Sequence, residues 1–199
     1  MSKRLLLGWL AAPVILLGFS GCAPPVYFAR SIRGRVVDAE TQQSIEGVVV
    51  VAEWVLLTSV GGFGGHDKRL TIVETVTDPN GAYIIPSWGP RLRPPFSMLD
   101  YLDPKLIVFR SGYVPLVLDN LQEGEQWMIR SSQWDGETLQ LAPFRGDPKE
   151  RVDQLDRILT GHRGPTPKFY NELLKERLSV GKAGENLFRF VDDRLERGL

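Results

Sequence analysis

Apolar and polar positions alternate along Ile32-Arg33-Gly34-Arg35-Val36-Val37-Asp38, which predicts a half-buried strand. The polar run Ala39 to Ser44 predicts the turn that ends it. Glu46 to Leu57 holds Gly47-Val48-Val49-Val50-Val51-Ala52, a β-branched run of the kind that is buried on both faces of a sheet. A loop is predicted from Thr58 to Arg69, and a further strand from Leu70 to Thr77. Asp78-Pro79-Asn80-Gly81 predicts a hairpin turn. Pro79 presets a negative φ, Asn80 and Gly81 tolerate a positive one, and Asp78 can bond the backbone ahead of it. Ala82 to Pro86 returns as a strand, and Ser87 to Pro104 predicts a long Pro-rich loop. Lys105 to Arg110 and Tyr113 to Leu118 flank a turn at Ser111-Gly112, and Glu137 to Pro143 predicts the last strand. The core predicted from this pattern is Val36, Val48, Val50, Ile72, Ile84, Leu106, Val108 and Leu141.

The period changes in the tail. Asp147-Pro148-Lys149-Glu150 predicts a helix start, with an N-cap, a first-turn proline and an acid three residues after the cap. Val152, Leu155, Ile158 and Leu159 then form one apolar stripe that ends at Gly161. A second helix is predicted from Thr166-Pro167, with Phe169, Tyr170, Leu173, Leu174 and Leu178 inward and a stop at Gly181. A third, from about Gly184 to Leu195, aligns Leu187, Phe188, Val191 and Leu195. Asp153 with Arg157, Glu185 with Arg189 and Asp193 with Arg197 stand at i,i+4, as on a solvated helix face.

The amino terminus is organised differently. Lys3 and Arg4 precede Leu5 to Phe19, a stretch with no charge that is shorter than the roughly 20 residues a membrane-spanning helix needs. That pattern reads as a signal peptide over residues 1–21. Leu17-Gly18-Phe19-Ser20-Gly21-Cys22 resembles the lipobox of bacterial lipoproteins, with Phe19 where the family usually has leucine. The resemblance implies acylation of Cys22, and Ala23 after it implies sorting to the outer membrane, facing the periplasm or the exterior. Two or three acyl chains anchor a protein stably where one does not. Residues 22–30, with Pro24-Pro25, then read as a short stiff tether.

Composition narrows the chemistry. Of 199 residues, 43% are hydrophobic and 24% charged, which is the balance of a folded protein. The 24 basic and 24 acidic residues cancel, so no overall field favours nucleic acid. One cysteine excludes an internal disulfide and any multi-cysteine metal site. Gly61-Gly62-Phe63-Gly64-Gly65-His66 lacks the Gly-Lys-Ser/Thr of a phosphate-binding loop, and His66 and His162 do not form a zinc pattern. No Gly-x-Ser-x-Gly elbow is present either. Asp100, Asp103 and Asp119 each flank a turn, where aspartate is expected in any case. The expectation is therefore a protein that is not an enzyme and needs no cofactor or metal.

The strand motifs together carry a family resemblance. Gly34-Arg35-Val36-Val37-Asp38, Ile45-Glu46-Gly47-Val48-Val49-Val50, Thr77-Asp78-Pro79-Asn80-Gly81-Ala82-Tyr83, Leu106-Ile107-Val108 with Gly112-Tyr113, and Leu139-Gln140-Leu141 follow in order. This series is similar to the carboxypeptidase regulatory-like domain. The resemblance implies a mainly β fold, a transthyretin-like seven-stranded β-sandwich over residues 31–144, followed by a helical extension over 145–199. It also implies a non-catalytic module. The expected function is a membrane-anchored binding or scaffolding module of the cell envelope. The alternative is an accessory subunit of an envelope enzyme or transporter complex. Its expected partners are the membrane, through acyl chains on Cys22, and an envelope protein or glycan. The candidate partner-binding residues are Trp88, Arg91, Arg93, Phe96 and Tyr101, because aromatic and arginine side chains dominate recognition hot spots. Trp127 and Trp134 read as packing residues.

Overall fold

The computed structural model describes residues 26–58, 68–121, 128–160 and 164–198. Cys22, the glycine-rich stretch 61–65, His66, Trp127 and His162 lie outside the described residues. The strands among those residues are β1 (Val26–Ala29), β2 (Ile32–Asp38), β3 (Val49–Thr58), β4 (Lys68–Val76), β5 (Ala82–Ile85), β6 (Trp88–Leu92), β7 (Ser97–Leu99), β8 (Lys105–Phe109), β9 (Leu116–Leu118), β10 (Ile129–Arg130) and β11 (Thr138–Leu141). The helices are α1 (Pro148–Thr160), α2 (Pro167–Leu174), α3 (Arg177–Val180) and α4 (Glu185–Glu196), with a 3₁₀ turn at Gly181–Gly184 between the last two.

The β-branched run becomes the central element. β3 pairs antiparallel with β4 and β8, and β9 and β7 complete an open five-stranded sheet. Because side chains alternate, β3 serves two cores. Val50, Ala52, Trp54 and Leu56 face a cluster with Tyr27, Ile32, Val36, Tyr83, Ile85 and Leu141. Val49 and Val51 face the other way, onto Leu155, Phe169, Tyr170, Leu173, Phe188 and Val191 of the helices. The first core lies between the five-stranded sheet and two three-stranded sheets, ordered β11-β2-β5 and β10-β1-β6. The fold is thus mainly β, with open sheets in a sandwich-like arrangement and helices covering one outer face.

Five expectations are corrected. The stretch Ser87 to Pro104 is not a plain loop, since it contains β6 and β7. β6 is an edge strand, where proline does not interrupt a ladder. The expected tether 22–30 overlaps β1, whose Tyr27 and Ala29 are buried in the first core. Ile84 points outward, because Tyr83 and Ile85 hold the inward phase of β5, and Ile72 packs toward the helices instead. Leu178 is 95% exposed, because the second predicted helix ends at Leu174 and the chain turns before α3.

Other local readings hold. Asp78 Oδ1 accepts the Asn80 and Ala82 amides at 2.9 Å each, and Gly81 takes φ +72° in that turn. A Cβ there would also collide with the Val36 carbonyl oxygen. Asp147 caps α1 by accepting the Glu150 amide at 2.8 Å. Glu185 with Arg189 and Asp193 with Arg197 form their surface pairs.

The start of α2 is capped from outside its own segment. Thr166 makes no side-chain cap hydrogen bond there, and the Lys168 and Phe169 amides instead donate to the two carboxylate oxygens of Glu74 at 3.0 Å. A carboxylate at a helix N-terminus both satisfies the orphan amides and complements the dipole. Glu74→Ala is expected to cost about 1 kcal/mol in urea unfolding, while Glu74→Gln should recover part of it by keeping an acceptor. An unchanged midpoint for the alanine variant would mean the cap contributes nothing.

Candidate functional site

The segment with the sequence-predicted binding residues begins inside the core. Trp88, opposite Ala29 in the β1–β6 ladder, packs edge-on against Trp54 with ring centroids 5.2 Å apart. It therefore supports the sheet and is not a free hot-spot anchor. Arg93 closes the turn after β6, donating from Nη1 to the Ser97 carbonyl at 2.7 Å. Ser97 Oγ in turn donates to the Pro94 carbonyl at 2.6 Å. Between these two bonds Phe96 is held at φ +58°, a conformation uncommon for a bulky residue, and the residue is 77% exposed. Tyr101, beyond β7, is 71% exposed, and Arg91 is exposed on β6. Of the five candidates, Arg91, Phe96 and Tyr101 reach solvent, whereas Trp88 and Arg93 build the scaffold under them. Such a rim offers a forked donor for carboxylate or hydroxyl groups and two aromatic faces for apolar or sugar surfaces.

The same segment carries a carboxyl group whose burial the sequence pattern does not reveal. Asp103 is buried and accepts the Val55 amide at Oδ2. Burial pushes its pKa up to about 8, and the neighbouring Asp100 and Glu53 charges add to the rise. The Val55 amide and the Arg130 guanidinium pull the other way. Burial also lowers Arg130 from its ordinary value, against the nearby Tyr27, Asp103 and Asp100 charges. The Arg130 guanidinium lies 6.0 Å from the centroid of the Tyr27 ring. Perturbed groups of this kind mark candidate sites, and also mark buried structural joints. The only signal in the sequence is the nearness of Asp100 and Asp103, which turn chemistry explains equally well.

The helical layer carries a second cluster. Glu172 accepts the Ser111 amide at 3.0 Å and Arg110 Nη1 at 3.3 Å. Glu176 accepts the Gly112 amide at 2.7 Å and pairs with Arg151, which also donates to the Tyr113 carbonyl at 2.7 Å. Arg151 is fully buried and lies over the Phe144 and Phe109 rings, 4.8 and 5.7 Å from their centroids. The two glutamates clasp the β8–β9 turn, so their work is docking. A hollow of about 590 Å³ lies between α3, the 3₁₀ turn and α4, and ion pairs Arg177–Asp192 and Arg189–Glu185 line it. Among the described residues, no group of three His, Cys, Asp or Glu side chains could hold a metal ion. No described helix is long and apolar enough to cross a membrane.

No protein-family model matches the chain, and no curated protein matches it in sequence. Solved structures do match. One is 3-chlorocatechol 1,2-dioxygenase from Rhodococcus opacus, at 16% identity and TM-score 0.35, covering 59% of this chain and 60% of that one. Another is the C-terminal domain of the shaft pilin SpaA from Lactobacillus rhamnosus GG, at 12% identity and TM-score 0.25, covering 61% and 100%. A third is the dioxygenase domain of a carbohydrate-binding fusion from a cellulolytic Streptomyces, at 15% identity and TM-score 0.32, covering 64% and 85%. The chain thus spans less than two thirds of the chlorocatechol dioxygenase it matches. The structures it is similar to are thus domains of pilins and dioxygenases. They also correct the expectation that the chain is not an enzyme. Dioxygenases and a lipoxygenase stand among the neighbours, at TM-scores of 0.35 and below.

Proposed function

We propose that the protein is an acylated lipoprotein of the cell envelope, anchored through Cys22, whose β-rich body works as a binding or scaffolding module at the membrane surface. The observation that carries the reading is the position of the single cysteine. It follows Lys3-Arg4, the uncharged stretch Leu5 to Phe19 and the small residues Ser20-Gly21, and it stands four residues before β1. The ordered motif series from Gly34 to Leu141 supports a carboxypeptidase regulatory-like sandwich for the body. Arg91, Phe96 and Tyr101 are the residues offered to an envelope protein or glycan, and the outer membrane is the proposed location.

Metabolic labelling with a clickable fatty acid tests the anchor. Wild type should take up label and run as a processed chain. Cys22→Ser should take up none and remain a precursor, since the only candidate thiol is gone. Label on the serine variant, or none on wild type, overturns the reading.

A further inference from the structure

We propose that the outer face of the β10-β1-β6 sheet rests on the lipid bilayer, so that the body lies against the membrane that holds it. This rests on the Cys22 anchor, but different residues carry it. In this sheet Val26 stands opposite Leu92, and Phe28 opposite Ile129. Directly opposed residues share a face. Tyr27 and Ala29, the alternate positions of β1, are buried in the core, so Val26, Phe28, Leu92 and Ile129 lie on the outer side. Leu92 is 79% exposed and Ile129 50% exposed. Gly89 leaves room on this sheet for the Phe28 ring, since a Cβ there would stand 2.6 Å from Phe28 Cδ1.

The neighbouring β11-β2-β5 sheet has a different outer face. There Arg33 stands opposite Ile84 and Arg35 opposite Ala82, with both arginines exposed. That outer face is therefore mixed, with Ile84 56% exposed beside two arginines, whereas the outward opposed pairs of the β1 sheet are apolar on both strands. That sheet is the one closest along the chain to the anchor. Val26 stands four positions after Cys22, a reach of at most about 14 Å. Acyl chains on Cys22 would hold Val26 within that distance of the hydrocarbon, whatever path the intervening residues take. Arg30, exposed just past the end of β1 and next in alternation after the inward Ala29, suits a headgroup layer, where a long side chain lays its stem on lipid and its charge in water. A bilayer is thus the occupant that tether length, apolar face and the flanking Arg30 favour together.

The test uses the full lipoprotein reconstituted into vesicles of phosphatidylethanolamine and phosphatidylglycerol. Single cysteines are introduced as Leu92→Cys, Ile129→Cys and Leu178→Cys and carry a nitroxide label, read by its accessibility to oxygen and to a nickel chelate. An acylated Cys22 has no free thiol, so the parent chain should take up no label. Labels at 92 and 129 should be shielded from the chelate, with an oxygen-to-nickel ratio several-fold above that at 178. Equal ratios at all three positions overturn the proposal while leaving the anchor intact. Dipolar broadening between labels at 92 would show a second copy on this face and also overturn it. Label on the parent chain would instead show a free Cys22 thiol, and the anchor reading would fail first, taking this one with it.

Discussion

Glu176→Ala is expected to cost the fold about 3–5 kcal/mol, far above the loss from an ordinary surface substitution. The size follows from what stays behind. Arg151 is buried, and without Glu176 its guanidinium keeps the Tyr113 carbonyl and two aromatic rings but no opposite charge in contact. An uncompensated buried charge is what makes breaking one half of such a pair expensive. The Gly112 amide loses its acceptor in the same step, and Ser179 Oγ loses the Glu176 Oε2 contact at 2.9 Å. The double change Arg151→Met with Glu176→Leu should cost much less than the sum of the singles, because apolar side chains of similar volume can fill the space. Urea unfolding of the four chains gives the coupling directly. A single-variant loss below about 1 kcal/mol would show that water reaches Arg151 and that the clasp is not a dry joint. The pair also sets an acid limit. Burial pushes the Glu176 carboxyl up, but the Arg151 and Gly112 hydrogen bonds and the Arg151 charge outweigh it and hold the group below its ordinary value. A lowered acid gives stability that is present above its unfolded pKa and is lost as pH falls through the folded one. The helical layer should therefore loosen first below the ordinary glutamate range.

The clasp also shows what can be read from the chain and what cannot. β2, β3, β4, β5, β8 and β11 are legible because each buries a face over four or more residues, enough for alternation or a β-branched run to stand out. The Asp147 cap is legible because cap and first turn are contiguous. β1, β6, β7 and β10 are not: β7 and β10 are only three and two residues long, β6 carries a glycine and a proline that read as loop, and β1 follows Pro24-Pro25, which reads as a tether. The structural roles of Glu74, Glu172 and Glu176 depend on which distant backbone each meets, and pattern does not encode that. One local signal does exist. Glu172 and Glu176 stand at i,i+4 beside the apolar stripe Phe169, Tyr170 and Leu173, where a solvated pair would be out of place. At the candidate site, side-chain chemistry alone picks out Arg91, Phe96 and Tyr101, which are exposed, together with Trp88 and Arg93, which are half-buried and hold the scaffold. An indole is as apt to anchor a core as a partner, and only the β1–β6 pairing decides which. Cys22 lies outside the described residues, so its proposed role rests on the motif.

Asp103 should give this protein an alkaline weakness, and the sign follows from its raised pKa. Burial keeps the carboxyl protonated in the folded chain up to about pH 8, against an ordinary value of 3.8. Between those limits the folded state binds more protons than the unfolded one, so stability is full below the unfolded value and falls as pH rises. The slope approaches about 1.4 kcal/mol per pH unit for one such group and levels off above the folded pKa. Asp103→Asn removes the titration while keeping an oxygen for the Val55 amide. At about pH 5 the variant should stay within about 1 kcal/mol of wild type, and at about pH 8 it should be the more stable by about 2 kcal/mol or more. Urea unfolding of both chains across that range is the measurement. Parallel curves would mean that the Arg130 guanidinium and the Val55 amide hold Asp103 as an anion through neutral pH, in which case the asparagine variant should be the weaker at every pH, because it leaves Arg130 without that charge.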